Sequence, residues 1–166
     1  MPLPPRPLAP DDFSAALALN NAALPNVNEL DTAALTDLVA MSALAAGAHG
    51  DDGTLLGFVL ALPPGRDYDS RNYRWVSNHR AQFLYVDRVV VTPRARGRGV
   101  GRALYRAVID TAHAEGYGFV LAEVNERPPN PGSMAFHTAI GFRVVGHADY
   151  GPDDKAVAFV EYTRDT

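Results

Sequence analysis

No cysteine occurs in the 166 residues. That excludes disulfides, thiolate metal ligands and a cysteine nucleophile, and it leaves the redox compartment open. No apolar run is long enough to span a bilayer. The opening Met-Pro-Leu-Pro-Pro-Arg does not read as a secretory leader, so the expected location is cytoplasmic, with no membrane partner. No segment repeats and no linker divides the chain, so a single domain over 1–166 is expected. There is no Gly-Lys-Ser/Thr to close a P-loop, and no histidine and carboxylate spacing that suits a metal. Positive charge is in the minority. The formal net charge is −4, which disfavours general nucleic-acid binding.

The arginines that are present are concentrated, with six of them between Arg88 and Arg106. An acidic protein with one basic loop suits an anionic small ligand better than a polyanion track. The stretch from Val89 to Leu104 organises the chain. It begins as an apolar β-branched run (Val89, Val90, Val91), passes through Thr92-Pro93, becomes basic and glycine-rich, and ends in helical periodicity. A strand therefore feeds a turn that feeds a helix N-terminus. Gly97, Gly99 and Gly101 leave the turn without side-chain bulk, so its N–H groups can approach a ligand. The first N–H groups of the following helix have no internal partners and lie at the positive end of its dipole. Arg94, Arg96, Arg98 and Arg102 add full charges. The combination suits a phosphate or pyrophosphate. Alternating glycines do not make the Gly-x-Gly-x-x-Gly of a dinucleotide fingerprint.

Along the chain, residues 6–9 read as a short strand and Pro10-Asp11-Asp12 as a helix start with an acidic first turn. A second helix is expected over 32–41 with Asp31 as its cap. Between them Asn20, Asn26 and Asn28 suit either substrate contact or turn chemistry. Residues 44–48 and 54–62 form a hairpin around Asp51-Asp52-Gly53. Residues 63–79 show no clear periodicity and read as a long loop, whose Tyr68, Tyr73 and Trp75 cover an acceptor or a partner. Residues 82–91 are the strongest strand, apolar on both faces, with Phe83, Tyr85, Val89 and Val91 on one of them. Asp87-Arg88 interrupts it. A charged pair in a buried strand is expensive unless paired or functional.

A helix from Val100 ends at Gly116 and leads into an apolar strand from Phe119, which makes a right-handed parallel crossover. Glu123 interrupts that second strand. Burial there would raise its pKa toward the working range of a general base, while a salt bridge to an arginine is the structural alternative. Asn130 caps a last helix with Pro131 at its first position, and Gly141 stops it. Residues 142–146 and 156–162 close the fold as an antiparallel pair.

The spacing Arg96-x-x-Gly99-x-Gly101, entered through Val91-Thr92-Pro93, resembles the coenzyme A pyrophosphate loop of the GNAT N-acetyltransferase superfamily. The run Asn130-x-x-Ser133-x-x-Phe136-His137-x-x-x-Gly141-Phe142 resembles its second signature. The resemblance covers roughly residues 83–146. It implies an α/β three-layer fold with a mixed, centrally splayed sheet flanked by helices. It implies transfer of an acyl group, acetyl first, from acetyl coenzyme A to a primary amine on a small molecule or peptide, without a metal. The cosubstrate would lie against Val89, Val90, Val91, Arg96, Gly97, Arg98, Gly99, Val100, Gly101 and Arg102. Asn125, Asn130, Ser133 and Phe136 would border its pantetheine and adenosine parts. Asp87 or Glu123 would accept the ammonium proton. His137 stands where many relatives have the tyrosine that protonates the leaving thiolate. Many relatives are dimers, so a homodimer is open. A non-catalytic acyl coenzyme A sensor is the rival reading, since it would keep the same loop.

Overall fold

The computed structural model describes residues 4–164. Met1–Leu3, part of the segment tested above for a leader, and the last two residues lie outside them. The elements in order are β1 (Arg6–Pro7), α1 (Phe13–Ala22), α2 (Thr32–Met41), β2 (Leu44–His49), β3 (Leu55–Leu62), α3 (Arg71–His79) and β4 (Phe83–Val91). They continue with α4 (Val100–Glu115), β5 (Phe119–Arg127), α5 (Pro131–Ala139), β6 (Arg143–Asp149) and β7 (Ala156–Thr163). The seven strands form one sheet in the order β1-β2-β3-β4-β5-β7-β6. Among the described strands only β4 and β5 run parallel, and α4 carries the chain back between them as the crossover.

Alternation along the strands sorts the helices into two layers. Phe58 and Leu60 of β3 point toward α1 and α2, where they meet Ala16, Leu35 and Leu38. Val59 and Ala61 point to the opposite face and pack with Leu104 and Val108 of α4. Tyr73 and Val76 of α3 cover Phe83, Tyr85, Leu121 and Phe159. Asp31 caps α2 by accepting from the Ala34 N–H at 2.8 Å. No helix among the described residues is long and apolar enough to cross a membrane.

α3 corrects the reading of residues 63–79 as a loop. The segment is short and polar on average, and its helical pattern, with Tyr73 and Val76 buried and Trp75 beside them, is easily passed over among the surrounding prolines and charges. Tertiary partners hold it. Trp75 stacks on Phe159 at 4.0 Å between centroids, and Arg80, just past the helix, grips the fully buried Glu161 of β7 with two hydrogen bonds of 2.8 and 2.9 Å. Tyr73 belongs to the core rather than to a binding loop.

The Trp75 ring lies flat over Gly146 of β6, where an added methyl would overlap its Cζ2 atom. Because Phe159 backs the ring, it cannot retreat. Gly146→Ala is therefore expected to destabilise the fold by about 1–3 kcal/mol, read as a lowered midpoint in thermal or denaturant unfolding.

Candidate active site

The site exists because β4 carries one residue too many. In its register with β3, Val86 faces Ala61 and Arg88 faces Leu60, which leaves Asp87 as a bulge. A bulge bends the strand and reverses its alternation. Before it, Leu84 and Val86 pack on the α4 side; after it, Val89 and Val91 do, while Val90 joins the α1–α2 side. Phe83 and Tyr85 thus face away from Val89 and Val91, contrary to a strictly alternating strand. Parallel pairing with β5 stops at Tyr85 and Leu121, just before the bulge. The two strands then diverge, each keeping its outer neighbour, and a cleft of about 1280 Å³ runs through the gap.

At its glycine-loop end the cleft is lined by Val89, Val90, Val91, Arg96, Gly97, Gly99, Val100, Gly101 and Arg102. Gly97 and Gly99 have φ of +76° and +83°, a region that L side chains avoid. A Cβ on either would meet no atom within 4 Å, so their outer surfaces are open to a ligand. The first α4 amide to find a carbonyl is that of Ala103, on Gly99 at 3.0 Å. The N–H groups of Val100, Gly101 and Arg102 therefore project from the helix end. These residues fit a diphosphate. Arg98 is exposed and lies outside the cleft lining. Asn125, Asn130, Ser133 and Phe136 line the continuation of the channel. Asn130 also caps α5, its Oδ1 accepting from the Ser133 N–H at 3.3 Å.

The two in-strand acids lie at matching heights on the diverging strands, in different environments. Asp87 accepts from Arg88 Nε at 2.8 Å and from the Tyr68 hydroxyl at 2.6 Å. Arg88 in turn donates to Asn20 Oδ1 and the Asn28 carbonyl. The buried charges are thus mutually satisfied, as burial requires. Asn20 is fully buried in this network and has no surface to offer a substrate; Asn26 and Asn28 do line the cleft.

Glu123 has no ion-pair partner among the described residues. It accepts from the Tyr85 hydroxyl at 2.8 and 2.9 Å and from Asn72 Nδ2 at 3.1 Å. Desolvation, followed by the nearby Asp87 charge, pushes its pKa up to about 8.

His137 is 3% exposed. Its Nδ1 lies 2.7 Å from the Ser133 carbonyl and its Nε2 lies 2.6 Å from the Tyr105 hydroxyl. A carbonyl can only accept, so Nδ1 carries the proton, Nε2 accepts, and Tyr105 donates. Burial lowers the His137 pKa, which favours this neutral form. His137 therefore turns no N–H into the cleft.

Known proteins place this arrangement. The model of the acetyltransferase (GNAT) family matches residues 20–142. The chain belongs to that family. It is 33% identical over 108 residues to streptothricin acetyltransferase of Streptomyces lavendulae, a match covering 64% of this chain and 52% of the relative. The chain thus spans about half the length of that relative. The crystal structure of nourseothricin acetyltransferase is 27% identical, with a TM-score of 0.58 over 72% of this chain and 64% of that one. A putative acetyltransferase from Salmonella typhimurium, solved with its cofactor acetyl-CoA, superposes over 100% of this chain and 95% of its own, with a TM-score of 0.74 and 18% identity.

This GNAT chain brings Asp87, Glu123 and His137 to one cleft, together with the glycine loop. Sequence reasoning missed Tyr105, Asn72 and Tyr150, all of which line that cleft. Tyr105 had a signal: with Val108 and Ala112 it makes an i, i+3, i+7 buried row on α4. Asn72 and Tyr150 had none, because a polar residue on a short helix and a tyrosine in a loop carry no chemical pattern of their own.

Proposed function

We propose that this protein is an N-acetyltransferase that passes the acetyl group of acetyl coenzyme A directly to a primary amine. The observation that carries the reading is the pairing, across one splayed cleft, of an open amide-rich diphosphate cradle with a carboxyl that has no cationic partner. The loop holds the diphosphate, and the unpaired inner edges of β4 and β5 hold the pantetheine, so that thioester and amine meet at the splay. Glu123 takes the ammonium proton through water. Its raised pKa suits the task, whereas the charge of Asp87 is committed to Arg88 and Tyr68.

The amine nitrogen then forms its bond to the acetyl carbon, and the developing oxyanion meets a backbone N–H of residues 89–91. The carbon–sulfur bond breaks, the electron pair leaves on sulfur, and the remaining extra proton on nitrogen passes to water, from which the proton donor to sulfur is recharged. In this reading Tyr105 turns its O–H from His137 toward that sulfur, which makes Tyr105 the acid and His137 its positioning partner.

The acceptor is proposed to be a small-molecule amine. The support is the 33% identity to an enzyme named for streptothricin. The test is incubation with acetyl coenzyme A and a panel containing streptothricin, simple diamines and peptide N-termini, with free thiol and product mass followed. The expected result is thiol release matched by an acetamide on one amine class. Coenzyme A binding without thiol release across the panel would favour a sensor and reject the enzyme.

A further inference from the structure

Glu123 has to present a carboxylate to a water or an amine in a pocket that works against its ionisation. The groups facing it are Tyr85 and the Asp87–Arg88 pair from β4, Asn72 from α3, Tyr105 from α4, and Tyr150 from the loop between β6 and β7. Only two of them touch the carboxyl. Tyr85 donates its hydroxyl from beneath. Asn72 donates from the cleft side, and its orientation is not its own choice. An asparagine amide can present either its NH₂ or its oxygen. The carboxylate can only accept, so it takes the NH₂, at 3.1 Å; the Tyr150 hydroxyl, able to donate or accept, then donates to Asn72 Oδ1 at 2.6 Å.

We propose that Asn72 and Tyr150 are positioning residues for Glu123: Asn72 gives the carboxylate its N–H, and Tyr150, delivered by the β6–β7 loop, locks the Asn72 side chain in place beside it. The proposal deepens the proposed function and rests on Glu123 being its base.

The loop is held for this purpose by contacts that do not involve the hydroxyl. Arg71 at the start of α3 stacks over the Tyr150 ring at 3.9 Å and makes a two-bond pair with Asp154 at 3.0 and 3.2 Å. Arg127 of β5 binds the Asp154 carbonyl at 2.9 Å and the Gly151 carbonyl at 2.5 Å. A phenylalanine at position 150 therefore keeps the ring and the docked loop and removes only the lock. Once the lock is gone, Asn72 is held by the carboxylate alone and its side chain is freer to swing away, so the donor is present for less of the time. Hydrogen bonding to the charged form is what lowers a carboxyl pKa, so losing it should raise that of Glu123.

The test is a direct titration of Glu123 by carboxyl-¹³C NMR, which needs no acceptor. Wild type, Asn72→Leu and Tyr150→Phe are compared, with Glu123→Gln used to assign the resonance. Leucine matches asparagine in size and removes the donor. Its midpoint is expected to move up by about one unit, a roughly tenfold loss of ionised base at pH 7. Tyr150→Phe should move it in the same direction by a smaller amount. Coenzyme A binding should be unchanged in both, which reports an intact fold.

Unmoved midpoints in folded variants that bind coenzyme A would overturn the proposal. A shift in Asn72→Leu with none in Tyr150→Phe would remove Tyr150 from it. If instead the midpoints move but Glu123→Gln turns over normally, the proposed base is wrong while the hydrogen-bond chain stands.

Discussion

Glu123→Gln should lose on the order of 10²- to 10⁴-fold in turnover, the range for removing a general base. Glutamine keeps the shape and can still accept from Tyr85, so coenzyme A affinity should be retained. The pH dependence is the sharper readout. A base must be deprotonated to act, so wild-type turnover should rise with pH through about 8. In the variant that limb should vanish.

Stability should move the other way. A carboxyl whose folded pKa lies above its unfolded value binds its proton more tightly when folded. Its contribution is therefore fully present below about 4.5 and is lost as pH rises through about 8. The glutamine variant carries no such proton, so its melting temperature should gain on that of wild type between about pH 4.5 and 8 and hold a constant offset above that. An inactive variant that is more stable in alkali would show a group held against its own preference for function. A pH–rate limb unchanged in the variant would transfer the base role to another residue.

Gly99→Glu should weaken coenzyme A binding by at least about 100-fold. The affinity loss is electrostatic: a carboxylate beside a diphosphate costs a few kcal/mol at an effective dielectric near 20. The strain of a side chain at φ +83°, roughly 1–2 kcal/mol, falls on fold stability instead. The fold should survive, since a Cβ at Gly99 meets no neighbour within 4 Å.

Gly53→Glu supplies the control. It has the same φ of +83° and the same open surroundings, but sits in the β2–β3 turn away from the cleft. It should lose similar stability and no affinity. Calorimetric titration with coenzyme A, alongside thermal unfolding, separates the two. Equal affinity in wild type and Gly99→Glu would place the diphosphate elsewhere.

Much of the fold was legible because its signals are local. Asp31, Asn130, the hairpin turn at Asp51-Asp52-Gly53 and the apolar run of β3 each act through near neighbours. The glycine loop was legible for the same reason, since its chemistry is that of its own backbone. α3 was not, because its stability comes from Phe159 and Glu161, more than eighty positions away. The bulge at Asp87 was not, because it is a relation between two strands. An alternation count along β4 alone cannot show where one residue drops out of register, and it assigned Val89 and Val91 to the wrong side.

By itself the chain determined which groups were available: a basic, side-chain-free turn at a helix entrance and two acids set in apolar strands. These follow from residue chemistry and spacing, which need no partner. Tertiary structure alone decided how the acids differ. It neutralised Asp87 with Arg88 and left Glu123 with only hydroxyl and amide donors, and it turned both nitrogens of His137 inward. A pKa and a proton's position depend on what lies within a few ångströms, and those neighbours come from strands and loops far apart in the sequence.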